Sequence, residues 1–187
     1  LVSDRECPQA AELIRAADRA EVDAYIVQDL GILALCRQIA PHIPIHASTQ
    51  MTIHSLDGVL QAASLGVSRV VLSRELPKEE IARICRNSPV EIEVFVHGAL
   101  CMCYSGQCYM SGVIGRRSGN RGQCAQPCRL PYGYGRFEDK HPLSLKDNCL
   151  APYLRELEQM GVASVKLEGR MKRPEYVATV TGIYRQA

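Results

Sequence analysis

Residues 68–80 read Ser-Arg-Val-Val-Leu-Ser-Arg-Glu-Leu-Pro-Lys-Glu-Glu, and they contain a strand followed by the start of a helix. The apolar run 68–73 is short and rich in β-branched residues, as in a buried strand. Pro77 then has the fixed backbone angle that suits the first turn of a helix, and the acids that follow it complement the helix dipole. This stretch therefore predicts one β/α unit.

Similar apolar runs lie on both sides of this unit, at 23–28, 43–48, 90–96 and 164–168. Helical patterns fill the intervals between the first four runs, as in consecutive β/α units. The runs are continuous rather than alternating, so both faces of each strand are buried, as in a parallel sheet. We therefore predict an α/β fold: an incomplete TIM-like (β/α) barrel with a cysteine-rich insertion loop, whose remaining strands would precede Leu1.

Three consecutive segments make up this single predicted domain. Residues 1–96 form consecutive β/α barrel units, residues 97–140 form a cysteine-rich and arginine-rich insertion, and residues 141–187 form the closing β/α unit. The insertion has no clear period, and a loop of that length inside a compact domain is usually functional. After the insertion, the spacing of apolar residues predicts a helix from Ser144 to Met160 and a final helix from Pro174 to Ala187.

The distribution of charge points to an anionic partner. The formal net charge is only +2, but the stretch from His97 to Arg136 has five arginines and no acidic residue. Such a segment favours a polyanion or another anionic ligand, although arginines in a long loop can also be simply solvated. Arg117 and Arg121 are the arginines of this stretch that we expect to bind substrate.

The sequence predicts a cytoplasmic protein without a membrane partner. No stretch approaches the ~20 apolar residues that cross a bilayer. No basic start followed by an apolar core is visible, so no secretory signal is recognised, although the chain opens on Leu1. Clustered cysteines in a reducing compartment are more often metal ligands than disulfides.

The cysteines form the most informative pattern of the chain. Six of the nine lie between Cys101 and Cys149, and four follow the spacing Cys101-x6-Cys108-x15-Cys124-x3-Cys128. Four thiolates favour an iron–sulfur cluster, most simply [4Fe–4S], or a zinc ion. We prefer the cluster because structural zinc sites usually have tight Cys-x2-Cys pairs, which are lacking here. A site without metal and Cys149 as an alternate fourth ligand stay open.

Polar residues follow several of the predicted strands. In a barrel, the active site lies where the carboxyl ends of the strands meet. His46, Arg74, Glu168 and Arg170 lie within or just after such runs, and a histidine or an Arg/Glu pair is costly to bury without a function. We therefore predict these four as catalytic residues and Lys172 as a substrate-binding residue. The alternative is that any strand must end in something polar.

Long motifs of this chain resemble peptidase family U32. The motifs are Glu93-x-Phe-x-His-Gly-Ala-Leu-Cys101-x6-Cys108-x2-Ser111, Arg117-Ser-Gly-Asn-Arg-Gly-Gln-Cys124-Ala-Gln-Pro-Cys128-Arg, His46-Ala-Ser-Thr-Gln-Met51, Leu143-Ser-Leu-Lys-Asp147 and Lys166-Leu-Glu-Gly-Arg-Met-Lys172. They cover nearly the whole chain. The family domain begins with strands that have no counterpart here, which is consistent with an incomplete barrel.

The resemblance implies two different activities. Some members are called collagenase-like peptidases, and others resemble oxygen-independent hydroxylases that use an iron–sulfur cluster to modify pyrimidines of tRNA or ribosomal RNA at C5. The resemblance further suggests an anionic oxygen donor such as prephenate, which Arg74, Arg170 and Lys172 would hold. We expect the hydroxylase. The chain has neither Gly-x-Ser-x-Gly nor His-Glu-x-x-His.

Two further interpretations stay open beside the hydroxylase. A peptidase would need an activated nucleophile, for which Cys103 or a triad of Asp29, His46 and Ser48 could be drawn. A non-catalytic chain would serve as a half-barrel or as the partner subunit of an enzyme. The sequence does not decide between a homo-oligomer and a hetero-oligomer.

Overall fold

A computed structural model describes residues 1–134, 137–169 and 172–187 of the chain. Five short parallel strands carry the fold, all of them at the predicted apolar runs: β1 (Tyr25–Val27), β2 (Ile45–Ala47), β3 (Arg69–Val71), β4 (Glu91–Gly98) and β8 (Ser164–Leu167). They lie in the order β1-β2-β3-β4, and β8 pairs with the far edge of β4. The same edge of β4 also pairs with a short antiparallel strand, β7 (Asn148–Cys149).

Helices connect the strands and cover one face of the sheet. They are α1 (Cys7–Arg19), α2 (Leu30–Ile39), α3 (Leu56–Ser64), α4 (Lys78–Asn87), α6 (Leu154–Gln159) and α7 (Pro174–Gln186). Side chains fix several starts: the Asp29 carboxylate accepts the N–H groups of Gly31 and Ile32 at 2.8 and 3.2 Å, and Ser55 caps α3 in the same way. Pro77 directly precedes α4, as its fixed φ favours.

The core lies between the helices and one face of the sheet. In β4, Ile92, Val94 and Val96 are at most 4% exposed and pack in one cluster with Ile84 of α4 and Val59 of α3. Burying a side chain of this size contributes ~1.5–3 kcal/mol, so these contacts are the main source of stability.

The opposite face of the sheet is charged. Successive residues of a strand point to opposite sides, so Glu93 lies on the other face from Ile92 and Val94. Its carboxylate binds Lys166 Nζ at 2.9 Å and Arg69 Nη1 at 3.3 Å, and Glu93 is only 6% exposed. His46 pairs in register with Arg69 on this face, which we call the charged face.

The insertion contains more structure than its irregular sequence suggests. It includes a short helix, α5 (Met110–Gly115), single 3-10 turns at Gly119–Arg121 and Pro127–Arg129, and a hairpin of β5 (Tyr132–Tyr134) and β6 (Phe137–Lys140). The α5 helix ends at Arg116, which adopts a left-handed conformation.

The predicted helix from Ser144 to Met160 is wrong in its first half. Residues 148–149 form β7, residues 151–153 form a 3-10 turn, and the helix itself runs only over Leu154–Gln159. Pro152 lacks an N–H and disfavours α-helical backbone at the residue before it, so a continuous α-helix through this point is disfavoured. The Asn148 side chain also donates to the Phe95 carbonyl at 3.0 Å, which holds the segment against β4.

The architecture confirms the predicted α/β fold with a parallel sheet and covering helices. Over the described ranges the sheet stays open, with β1 at one edge and β7 and β8 beyond β4 at the other. No helix in this part of the chain is long and apolar enough to cross a membrane.

Candidate metal centre

The four predicted cysteine ligands line one cavity of about 150 Å³ at the carboxyl ends of the strands. Cys101 and Cys108 come from the loop after β4, and Cys124 and Cys128 come from the end of the insertion. Three further side chains of the lining follow three other strands: Gln50 after β2, Arg74 after β3 and Glu168 after β8. Sequence positions 50–168 thus meet at the edge of the sheet where a barrel places its active site.

The loop that carries Cys101 and Cys108 is fastened at Ser105, which is 3% exposed. The Glu75 carboxylate accepts both the N–H and, at 3.3 Å, the hydroxyl of Ser105. The Thr52 hydroxyl donates to the Ser105 carbonyl at 2.8 Å. Because Glu75 follows β3 and Thr52 follows β2, these bonds fix the loop to the strand ends.

Gly106 permits the close approach of this loop to the sheet. Its φ is +82°, and an added Cβ would lie 2.3 Å from the Gln50 carbonyl oxygen. A side chain at this position would therefore clash with backbone as well as strain the chain. The glycine between the two cysteines serves the backbone fit of the loop.

The second pair of cysteines is held from the other side of the cavity. The Ser111 hydroxyl of α5 accepts the Ala125 N–H at 2.9 Å, and the Gln126 N–H donates to Cys124 Sγ at 3.4 Å. Arg129 joins the two halves, because its guanidinium donates to the Leu100 carbonyl at 3.1 Å, next to Cys101, and pairs with Asp147 at 3.1 Å.

Two glutamines anchor the middle of the insertion to the sheet. Gln50 Nε2 donates to the Gly119 carbonyl at 3.4 Å, and the Gln28 side chain donates to the carbonyl of Asn120. These bonds bring the turn at 119–121 over the ends of β1 and β2. The sequence marks both glutamines only as polar residues after strands.

The protein environment raises the pKa of two of the four thiols that line the cavity. Burial raises the pKa of Cys101, and the nearby Arg74 guanidinium partly opposes this shift. Burial also raises the pKa of Cys128, opposed in part by Arg129. Although Cys101 is open to solvent through the cavity mouth, its thiol has protein on its other sides. Metal binding must displace the thiol protons, so it competes with this preference.

The chemistry of the donor set fits an iron–sulfur cluster, since its ligands are thiolates. Across the described residues, no three His, Cys, Asp or Glu side chains are placed to hold one metal ion. A tetrahedral zinc site with Zn–S bonds of ~2.3 Å needs its sulfurs packed tightly around one point. An iron–sulfur cluster instead takes each cysteine on a separate iron, so its thiols may stand further apart. Four thiols that line one cavity are compatible with such a cluster.

Arg74 and Glu168, two of the predicted catalytic residues, form an ion pair in the cavity wall. Arg74 Nη2 lies 2.8 Å from Glu168 Oε2, and the two side chains are 13% and 28% exposed. Arg74 Nη1 also donates to the Ala99 carbonyl at 3.2 Å and to Cys101 Sγ at 3.4 Å. The structure thus brings these two residues together and to one of the predicted ligands.

The remaining predicted residues lie in different places. His46 lies within β2 on the charged face and not in the cavity lining, and burial lowers its pKa. Arg117 donates to the Gln123 carbonyl at 3.0 Å, and Arg121 forms an ion pair with Glu6 at 2.5 Å. Cys149, the alternate ligand, lies in β7 outside the cavity lining, while Cys128 lies inside it. Arg170 falls outside the described residues.

A second cavity of about 170 Å³ adjoins the first, with which it shares several lining residues. Its lining consists of Ala99, Gln126, Arg129, Asp147, Glu168 and Lys172. Lys172 Nζ, the predicted substrate ligand, also lies 5.2 Å from the centre of the Tyr176 ring. The charged groups make this cavity suitable for a small polar molecule.

Sequence reasoning missed Gln126, which lies between the two cavities and contributes to both. Its φ of 56° and ψ of 48° are left-handed, which is uncommon for a residue other than glycine. Pro127 after it is the only local sign of a special backbone here. His97, near the end of β4, lines neither cavity. A bulge in β4 lies between Phe95 and His97, and the ring hydrogen-bonds with the hydroxyls of Tyr176 and Tyr184 in α7.

The family model described as peptidase family U32 matches residues 1–187 of this chain. The 23S rRNA 5-hydroxycytidine C2501 synthase of Escherichia coli strain K12 is 44% identical over all of this chain and 29% of its own length. The tRNA hydroxylation protein P1 of Bacillus subtilis strain 168 is 37% identical over 94% of this chain and 44% of its own length. The chain thus spans less than half the length of these curated relatives.

A solved structure shares the fold. The U32 peptidase Mk0906 aligns with 92% of this chain and 65% of its own chain, with a TM-score of 0.55 and 16% sequence identity. At that identity the likeness concerns the fold alone.

Proposed function

This chain belongs to peptidase family U32, and from that premise we propose that it forms the cluster-binding part of an enzyme that hydroxylates an RNA pyrimidine at C5. The observation that carries the proposal is the cavity lined by Cys101, Cys108, Cys124 and Cys128 at the carboxyl ends of the strands. Two relatives bear names of RNA hydroxylation, one for ribosomal RNA and one for tRNA. The proposal therefore includes both ribosomal RNA and tRNA as substrates.

The four cysteines would hold the cluster, most simply [4Fe–4S]. When bound, such a cluster supplies electron transfer at the carboxyl ends of the strands. The chain itself contributes the fixed ligand loops, with Ser105 bound to Glu75 and Arg129 bound to Leu100. Zinc is the alternative occupant of the same thiols.

The adjoining cavity would hold the oxygen donor. Replacing C5–H by C5–OH removes two electrons from the base, so the donor must accept two electrons. An anionic donor, such as a dicarboxylate of the prephenate type, finds Lys172 and Arg129 in the lining of that cavity. Arg74 is engaged by Glu168, whereas Lys172 lies in the lining of the adjoining cavity.

RNA would approach over the part of the insertion from His97 to Arg136, which has no acidic residue. Tyr104 and Tyr109 are 64% and 62% exposed, and exposed aromatic rings stack on unpaired bases. Arg116 and Arg117 lie on the same insertion and are exposed, so they can neutralise phosphates. Arg121 is less available because it pairs with Glu6.

The peptidase alternative finds less support in the geometry. Asp29, a member of the conceivable triad, accepts N–H groups as the cap of α2, and Ser48 accepts the Gln50 N–H at 3.2 Å. Both side chains therefore have local structural roles. Cys103 is a half-buried free thiol that does not line the four-cysteine cavity.

The proposal is tested on the full-length protein purified without oxygen, by visible absorption, iron and acid-labile sulfide. We expect a broad visible absorbance and about four irons per chain. Cys124→Ala should lose both signals, while Cys7→Ala, in α1 and not in the cavity lining, should keep them. Cys128→Ala and Cys149→Ala compare the two candidates for the fourth ligand.

Activity is then measured as the gain of one oxygen atom in RNA from a strain that lacks the protein, after incubation with the loaded enzyme, a reductant and the dicarboxylate donor. Site mapping by mass spectrometry locates the modified pyrimidine. A colourless protein with one zinc or without metal would overturn the cluster. Peptide cleavage that Cys103→Ala abolishes, with no change in RNA, would favour the peptidase.

A further inference from the structure

We propose that Arg74 raises the reduction potential of the cluster held by the four cysteines, by placing a positive charge and a hydrogen bond on the Cys101 sulfur. This inference rests on the proposed cluster. It concerns Arg74 as a positioning residue that acts through Cys101, and it replaces the role of anion ligand that the sequence predicts for this arginine.

The contacts of Arg74 place its charge at the ligand and not in solvent. Nη1 donates to Cys101 Sγ at 3.4 Å and to the Ala99 carbonyl at 3.2 Å, two residues before the ligand. The guanidinium carbon lies 4.0 Å above the centre of the Phe95 ring, which fixes the plane of the group. The side chain is only 13% exposed, so water screens its charge weakly.

Glu168 and Gly98 hold this arginine in place. The carboxylate of Glu168 lies 2.8 Å from Arg74 Nη2. Gly98 has a φ of +111°, and a Cβ on it would lie 2.4 Å from the Cβ of Glu168. The glycine before the ligand loop therefore allows the carboxylate to approach the guanidinium.

One donor of Arg74 lacks a partner. Its Nε is buried and has no hydrogen-bond partner in the described part of the chain. A buried unpaired N–H costs free energy and calls for an explanation. The contact with the Cys101 sulfur supplies such an explanation, because it sets the position of the guanidinium even though Nε is left without an acceptor.

The sign of the effect follows from charge. Reduction adds an electron to the cluster and its thiolates, so a nearby cation stabilises the reduced form, and hydrogen bonds to the sulfurs act in the same direction. The Glu168 carboxylate has the opposite charge and binds Nη2 of Arg74, whereas the Cys101 sulfur accepts from Nη1. Removing Arg74's charge should lower the potential, and removing Glu168's charge should raise it.

Opposite shifts separate this role from a purely structural one. If the pair only held the loop in place, Arg74→Gln and Glu168→Gln would both loosen the site and would move the potential in the same direction or leave it unchanged. Arg74→Lys keeps the charge and should restore most of the potential. Arg69→Gln is the matched control, because it removes a paired arginine of β3 that does not line the cavity.

The experiment measures the midpoint potential of the full-length holoprotein by spectroelectrochemical titration, with iron content and circular dichroism for each variant. We expect Arg74→Gln to change the ratio of oxidised to reduced cluster at a fixed potential about tenfold toward the oxidised form, which is ~59 mV for a one-electron couple. Glu168→Gln should shift it the other way, and Arg69→Gln should match the unaltered protein.

The outcomes distinguish this inference from the proposed function. If the midpoint potentials of Arg74→Gln and Glu168→Gln stay unchanged or shift in the same direction, with full iron content, the role proposed for Arg74 is overturned. The proposed cluster is then unaffected. If Arg74→Gln does not retain iron, the other two variants test the role of Arg74. A raised potential in Glu168→Gln with a near-normal potential in Arg74→Lys supports it, and an unchanged or lowered potential in Glu168→Gln overturns it. A wild-type protein without a cluster overturns the proposed function itself.

Discussion

Glu93→Gln should destabilise the protein strongly, because Glu93 is the centre of the charged face. Its carboxylate is 6% exposed and binds both Lys166 Nζ at 2.9 Å and Arg69 Nη1 at 3.3 Å. The amide has nearly the same shape but no charge, so the two cations lose their shared counter-ion without the creation of a cavity.

The size of the expected destabilisation depends on the interactions that Arg69 and Lys166 keep in the variant. Removing one member of a buried ion pair costs ~3–5 kcal/mol. Arg69 keeps a second carboxylate, since its Nη2 lies 2.6 Å from Glu91 Oε2. Lys166 is 31% exposed and can be partly rehydrated. We therefore expect a loss of ~2 kcal/mol in the free energy of unfolding, and with an m-value of ~2 kcal/mol per M the urea midpoint falls by ~1 M.

The assay is urea unfolding followed by circular dichroism, with Glu80→Gln as the control. Glu80 pairs with Arg83 at 3.2 Å on the surface of α4, where the two side chains are 43% and 58% exposed. An exposed pair of this kind contributes at most ~0.5 kcal/mol. A Glu93→Gln midpoint no lower than that of Glu80→Gln would refute the reasoning.

The pH dependence gives an independent check on the same residue. Burial by itself would raise the pKa of Glu93, but the hydrogen bond and charge of Lys166, together with Arg69, lower it overall below 4.5. A carboxyl whose folded pKa is depressed contributes stability above the unfolded pKa and loses it as the pH falls through the folded value. The difference between wild type and Glu93→Gln should therefore hold above pH 4.5 and narrow below it. A difference that widens in acid contradicts the ion-pair account.

Three further outcomes are expected. Gly98→Ala should cost at least ~2 kcal/mol in urea unfolding, because its φ of +111° strains alanine and its Cβ would meet a side chain at 2.4 Å, whereas Gly182→Ala, in the open middle of α7, should be neutral or stabilising. Tyr184→Phe should cost ~1–2 kcal/mol, because the hydroxyl donates to a buried carbonyl of β4 at 2.8 Å; an unchanged melting temperature would argue against this. Arg117→Gln should reduce the slope of log affinity for RNA against log salt by ~1 in filter binding, while Arg83→Gln, on α4, leaves it unchanged.

The strands were predictable because their signal is local. Each of the five parallel strands overlaps an apolar run with β-branched residues, and continuous apolarity is typical of strands in a covered parallel sheet. The convergence of Arg74 and Glu168 was also predictable in outline, since both follow such runs. Their direct pairing was not, because it joins residues 94 positions apart.

The segments that the sequence did not predict depend on contacts from distant residues. Asn148 donates to the Phe95 carbonyl of β4, and Arg129 donates to the Ser144 hydroxyl and the Leu145 carbonyl. These bonds take the place of the helix that the apolar spacing after Ser144 favours. His97 shows the same limit within a strand. It follows an apolar run and lies near the end of β4, but its ring hydrogen-bonds with the tyrosine hydroxyls of α7 and does not line the cavity.

Different parts of β4 contribute to stability and to the proposed chemistry. Ile92, Val94 and Val96 support the core, and Glu93 balances the cations of the charged face, whereas Phe95 positions Arg74 at the cavity. A change on the charged face should therefore alter unfolding and leave the cluster potential as it is. Arg69 and Arg74 belong to one strand and its end, and each has a carboxylate partner, so their glutamine variants separate the two effects. If Arg69→Gln shifted the potential as much as Arg74→Gln, long-range charge and not the contact with Cys101 would set it.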